Sequence, residues 1–172
     1  MKRSRLKEAS DGELHARITV VLAPLCFLAG LILFDIDTAW LVFIGCMFGL
    51  VCGPDLDLRG ISFNESIWFA IPLVGWLVGF TWQIVWYPYA YFSHHRGVSH
   101  WPIIGTGMRL AYLYVVSCII LTFINVAGGQ CFPETWIQLK FISISGWMVP
   151  AAIGLAVSDL GHIGRDIITS DF

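Results

Sequence analysis

The sequence predicts an all-α fold: a polytopic membrane helical bundle of about four spans plus a broken or re-entrant hairpin. Three observations carry that expectation. Of the 172 residues, 57% are apolar and 13% charged, whereas a soluble domain is near half apolar and about a quarter charged. Apolar runs approaching the roughly 20 residues needed to cross hydrocarbon recur along the chain. Polar breaks and Pro/Gly pairs divide those runs at intervals that suit a bundle. Mean hydropathy is +0.74, and the eight Trp and twelve Phe suit membrane interfaces and lipid-facing surfaces.

The elements follow in order. Residues 1–17 form a basic segment carrying Lys2, Arg3, Arg5, Lys7 and Arg17, so the positive-inside bias puts the N-terminus in the cytoplasm. Glu8, Asp11 and Glu13 interrupt it and no small-residue cleavage site follows, so the first apolar stretch is read as a retained span and not a cleaved signal. That span runs from about Ile18 to Phe34 and exits at Asp35-Ile36-Asp37-Thr38. A second runs from about Ala39 to Val51 and stops at Gly53-Pro54, a strong breaker pair. The stretch Ser66–Tyr91 is interrupted by Pro72, Gly75, Gly79 and Pro88. It is long for one crossing and short for two; a hairpin hinged at Pro72–Gly75 and a single crossing are the two alternatives. Spans from about Ile103 to Val126 and Ile137 to Val157 follow, and residues 158–172 form a cytoplasmic tail. All 172 residues are assigned to one membrane-embedded domain.

This threading gathers four clusters on one membrane face if Ser66–Tyr91 folds back: His15, Pro54-Asp55-Leu56-Asp57, His94 to His100, and Asp159 with His162. Ionisable groups at bilayer depth are costly and rarely idle. Asp159 and His162 are spaced i, i+3, with Asp166 at i+7 on the same helical stripe. Asp55 and Asp57 follow a helix C-terminus, where negative charge opposes the dipole. Asp35 and Asp37 share their spacing but fall on the opposite face by parity, a plain exit turn. Three of the five histidines lie within seven residues, His94, His95 and His100, with Gly97 able to turn them inward. Ser99 before Trp101-Pro102 reads as a helix N-cap, and Arg96 is a natural phosphate or carboxylate clamp.

Candidate metal ligands are therefore His15, Asp55, Asp57, His95, His100, Asp159 and His162, holding one or two divalent ions. Mixed imidazole and carboxylate donors suit Zn first, then Mn or Fe. Such a centre activates water at neutral pH, with Asp57 or Asp159 as general base and Arg96 against developing negative charge. The five cysteines, Cys26, Cys46, Cys52, Cys118 and Cys131, contain no CxxC pair and read mainly as small hydrophobes. Only Cys52 lies near a cluster. A formal charge of −2 provides no basic stripe, which excludes nucleic acid as a partner.

The set His15-Ala-Arg-Ile-Thr, Gly53-Pro54-Asp55-Leu56-Asp57, His95-Arg96 with Ser99-His100, Pro102-Ile-Ile-Gly105-Thr106 with Arg109 and Tyr112, then Asp159 and His162 resembles a family of small bacterial membrane proteins. That family, of cyanobacterial type and unknown function, is described as metal-binding. The pattern also looks like the inner-membrane metal-dependent hydrolases. The resemblance covers most of the chain and implies a bacterial inner-membrane location and hydrolysis; the apolar Ser66–Tyr91 departs from the basic, aromatic linker of the cyanobacterial group. The expected function is hydrolysis of a phosphoester or acyl group in a lipid-like substrate. The alternative is a non-catalytic, metal-stapled subunit binding partner helices in the bilayer. An ion carrier ranks last, because its ligands belong near mid-membrane.

Overall fold

The computed structural model describes residues 2–57, 63–93, 101, 103–128, 146 and 148–168, with the backbone alone described for 2–12, 57 and 63–65. Among them are six helices and no strand: α1 (Lys2–Leu33), α2 (Ile36–Phe48), α3 (Phe63–Phe69), α4 (Gly75–Phe92), α5 (Ile104–Ala127) and α6 (Met148–Ile168), with a 3₁₀ turn at Pro54–Asp57. The all-α expectation holds.

Helix α1 runs unbroken through the basic segment into the apolar run, even past Pro24. The polar exit falls where predicted. Asp35 adopts extended backbone and its carboxylate accepts from the Thr38 amide at 2.7 Å, capping α2. That hydrogen bond holds the exposed Asp35 carboxyl below its ordinary value. A lowered folded value stabilises the cap above the unfolded one and loses it as pH falls through the folded one. The hydrogen-exchange protection of Thr38 is expected to drop in that acid range, and to be low at every pH in Asp35→Ala.

Small residues set the core. A Cβ on Gly45 would lie 1.9 Å from the Ala151 carbonyl oxygen, and one on Gly154 would lie 2.0 Å from that of Val42. Backbones this close need glycine, as in small-residue packing of membrane helices. Gly45 meets Ala151 and Gly49 meets Ser158, so α2 and α6 run parallel. The Thr19 and Ser158 hydroxyls hydrogen-bond at 2.9 Å across α1 and α6, and His15 meets His162 further along. Helix α1 is therefore antiparallel to both, and its N-terminal half, the end of α2 and the end of α6 converge.

The stretch Ser66–Tyr91 is broken at its predicted hinge. Helices α3 and α4 are joined at 70–74, where Leu73 has φ 68 and a Cβ on Gly75 would lie 2.5 Å from the Phe69 carbonyl. Both helices pack on the 3₁₀ turn. There Cys52, Leu56, Trp86, Tyr89 and Leu155 form a second core, and the Tyr112 hydroxyl on α5 donates to the Val85 carbonyl. Helix α5 starts at Ile104, later than Ser99 and Pro102 suggest, because Ile103 turns the chain with φ 70, a conformation β-branched residues rarely adopt.

The four-span expectation is met in part among the described residues. Among the described residues two helical segments are long and apolar enough to cross a membrane, Glu13–Leu33 and Ile104–Ala127. Helix α2 is apolar but has 13 residues, a rise of about 20 Å against about 30 Å of hydrocarbon. Of the expected 137–157 span, 148–157 lies in α6, which continues without a break into the predicted tail. The two long segments are 22% and 6% buried, unlike the mostly enclosed core helix of a water-soluble domain.

Candidate metal centre

The helix ends converge on an acidic and imidazole cluster. His15 comes from α1, His162 and Asp166 from α6 at i, i+4, and Asp55 from the 3₁₀ turn Pro54–Asp57. The His15 and His162 rings stack with centroids 3.6 Å apart and planes 13° apart. His15 Nε2 lies 3.1 Å from Asp166 Oδ1. His162 Nε2 lies 3.4 Å from Asp55 Oδ1 and 3.6 Å from Asp166 Oδ2. Ligand atoms of His15, His162 and Asp166 all fall within 4.8 Å of one another.

These donors fit a divalent cation. His15 Nδ1 is buried with no hydrogen-bond partner, an imidazole nitrogen that a metal or its water would satisfy. Burial acts to raise the Asp166 carboxyl, but the hydrogen bond from His15 and the nearby imidazoles outweigh it despite Asp55, holding it below the ordinary carboxylate value. An ionised oxygen donor flanked by two imidazoles suits Zn, Mn or Fe, and a carboxylate on a ligating histidine is the usual way to fix its ring.

Asp159 has a different company. One turn before His162, it is buried and accepts from Arg109 and Thr106 on α5 through one oxygen, Oδ2. Arg109 is fully enclosed, so this is a buried ion pair joining α5 to α6. The i, i+3 stripe is present as predicted, yet the carboxylate grouped with the two histidines is Asp166. Sequence reasoning placed Asp166 on that stripe without counting it as a ligand; its i+4 spacing from His162 was the available signal. Arg109 appeared only within a motif. The signal for it was one arginine inside a long apolar helix.

The structure thus brings together His15, Asp55 and His162 and sets Asp159 beside them. The side chain of Asp57 and residues His94, His95, Arg96, Ser99 and His100 lie outside the described residues. Cys52 is a packed thiol: burial pushes it up to about 12, although Arg109 beside it acts to lower it. It packs in the core with Leu56, Trp86, Tyr89 and Leu155.

A family model with the description "Uncharacterized metal-binding protein (DUF2227)" matches residues 10–172. A relative from Aquifex aeolicus (strain VF5), itself named an uncharacterized protein, is 30% identical over 138 residues, which is 74% of this chain and 88% of the relative. No solved structure matches the chain.

Proposed function

The chain belongs to this family of metal-binding proteins, and from that premise we propose that it is a membrane-embedded, metal-dependent hydrolase. The observation that carries the reading is the convergence of His15, His162 and Asp166 within 4.8 Å at the polar end of an apolar helix bundle. The cation is zinc, with manganese or iron next by ligand type. In this reading the N-terminus is cytoplasmic, in a bacterial inner membrane, and the centre faces that side.

Bound there, a divalent cation supplies Lewis acidity towards water and towards a phosphoryl or acyl oxygen. The protein's part is to hold, orient and move protons. His15, His162 and Asp166 provide the first donors, and Asp55, beside His162, adds a fourth oxygen or orients the ring. His95 and His100 complete the set, consistent with Thr106, six residues beyond His100, reaching Asp159 on α6. Asp57 takes the proton from water as general base, and Arg96 stabilises negative charge on the substrate. Asp159, paired with Arg109, positions α6 and contributes no donor. Water is the nucleophile.

One observation favours a second reading. The cluster joins the start of the chain to its end, so a cation there would also fasten α1 to α6 as a structural staple. Metal analysis and chelation separate the two. Purified wild type is expected to retain divalent metal, and His162→Ala and Asp166→Ala are expected to lose most of it. If both variants keep full metal content, the ligand assignment is wrong. Helix packing that survives chelation while phosphoester or ester hydrolysis is lost supports the enzyme; a bundle that melts on chelation supports the staple.

A further inference from the structure

The height of the centre on α1 identifies the kind of molecule it meets. Ile18–Phe34 lies between exposed Arg17 and the Asp35 cap and rises about 26 Å at 1.5 Å per residue, close to the roughly 30 Å of bilayer hydrocarbon. Val20, Val21, Leu25, Leu28 and Ile32 are exposed along it. The switch from charged to apolar surface is therefore abrupt, between Arg17 and Val20. His15 stands three residues before Ile18, which places it about 5 Å outside the apolar run. The polar layer of one leaflet is itself about 5–7 Å deep. With Ile18–Phe34 spanning the hydrocarbon upright, the imidazoles would stand level with lipid phosphates and short of bulk water.

The opposite wall agrees. On α6 an exposed apolar side chain, Leu160, lies two residues before His162, about 3 Å nearer the hydrocarbon. In a headgroup layer Leu160 contacts glycerol and the upper acyl chains. Phosphate is the anionic oxygen group that a lipid carries at this depth, and it matches a divalent cation held by imidazoles and carboxylates.

Resting on the reading of the cluster as a divalent-metal centre at a membrane face, we infer that its substrate is a phosphate-bearing membrane lipid. The lipid's phosphate enters sideways from within the cytoplasmic headgroup layer, not from solution. In hydrolysis of such a phosphomonoester, a water oxygen bonds to phosphorus as the phosphorus–oxygen bond to the lipid alcohol breaks. The alcohol oxygen takes a proton, leaving the free lipid alcohol and inorganic phosphate.

Proximity can be read without turnover. The full chain is loaded with manganese in nanodiscs containing phosphatidic acid, with glycerol 3-phosphate dissolved outside, and phosphorus NMR linewidths of both are followed. The lipid line is expected to broaden and the soluble line to stay sharp. Excess zinc, which binds such donors more tightly than manganese, is expected to restore the lipid line, and Asp166→Asn to leave it sharp throughout. Preferential broadening of glycerol 3-phosphate would overturn the inference, as would two sharp lines on a protein that retains its manganese. A wild type that retains no manganese fails the metal-centre reading itself, and the lipid inference with it.

Discussion

Gly154→Leu is expected to abolish the folded bundle, and Gly154→Ala to destabilise it severely. Even the single carbon of alanine would sit 2.0 Å from the Val42 carbonyl oxygen and 2.7 Å from the Cys46 amide nitrogen. Both are main-chain atoms, so no rotamer change relieves the clash and α2 must move away from α6. Overpacking a tight core costs about 1–3 kcal/mol where side chains can yield, and more where they cannot. Against a total stability of about 5–15 kcal/mol, forcing these backbones apart with a leucine is decisive. Gly107 on α5 is the control, since nothing lies within 4 Å of a Cβ built there. Gly107→Ala is expected to be neutral or to stabilise by up to about 1 kcal/mol through helix propensity. Thermal unfolding of the three variants in one detergent, followed by circular dichroism, measures both effects. Equal melting of Gly154→Ala and wild type would refute the close α2–α6 packing.

The second large effect is at the buried pair. Arg109→Met is expected to cost about 3–5 kcal/mol, the usual consequence of leaving an enclosed charge without its partner. Here the stranded group is Asp159, whose Oδ2 still accepts from the Thr106 hydroxyl. The double variant Arg109→Met/Asp159→Leu removes both charges and is expected to recover most of the loss, since apolar replacements of buried pairs are often neutral. Denaturant unfolding of the single and double variants gives the coupling directly. A single variant within about 1 kcal/mol of wild type, below the usual range for a broken buried pair, would show that the pair contributes little to stability.

How far the sequence could be read depended on whether a feature was local or tertiary. The Asp35 turn, the Pro72–Gly75 break and the Asp159/His162 stripe were legible because caps, breakers and helical spacing act within a few residues. The C-terminal ends of α1 and α5 were legible from hydropathy for the same reason. Partner choice was not. Nothing in the spacing of Asp159, His162 and Asp166 tells which carboxylate faces His15 and which faces Arg109. That is decided by the rotation of α6, which Gly45 on α2 and Gly154 on α6 fix through main-chain contact between the two helices. Helix length was not legible either: α2 is apolar throughout yet stops at Phe48, and hydropathy alone does not register a helix too short to cross.

The antiparallel pairing of α1 with α6 has a consequence for biosynthesis. Thr19 and Ser158, which hold the two helices together just inside the centre, are 139 positions apart, so nearly the whole chain must leave the ribosome before its two ends can meet. Contacts of such long sequence separation form late. Cation capture is therefore among the final events of maturation, and a nascent chain stalled before α6 would present His15 with no His162 or Asp166 to join it.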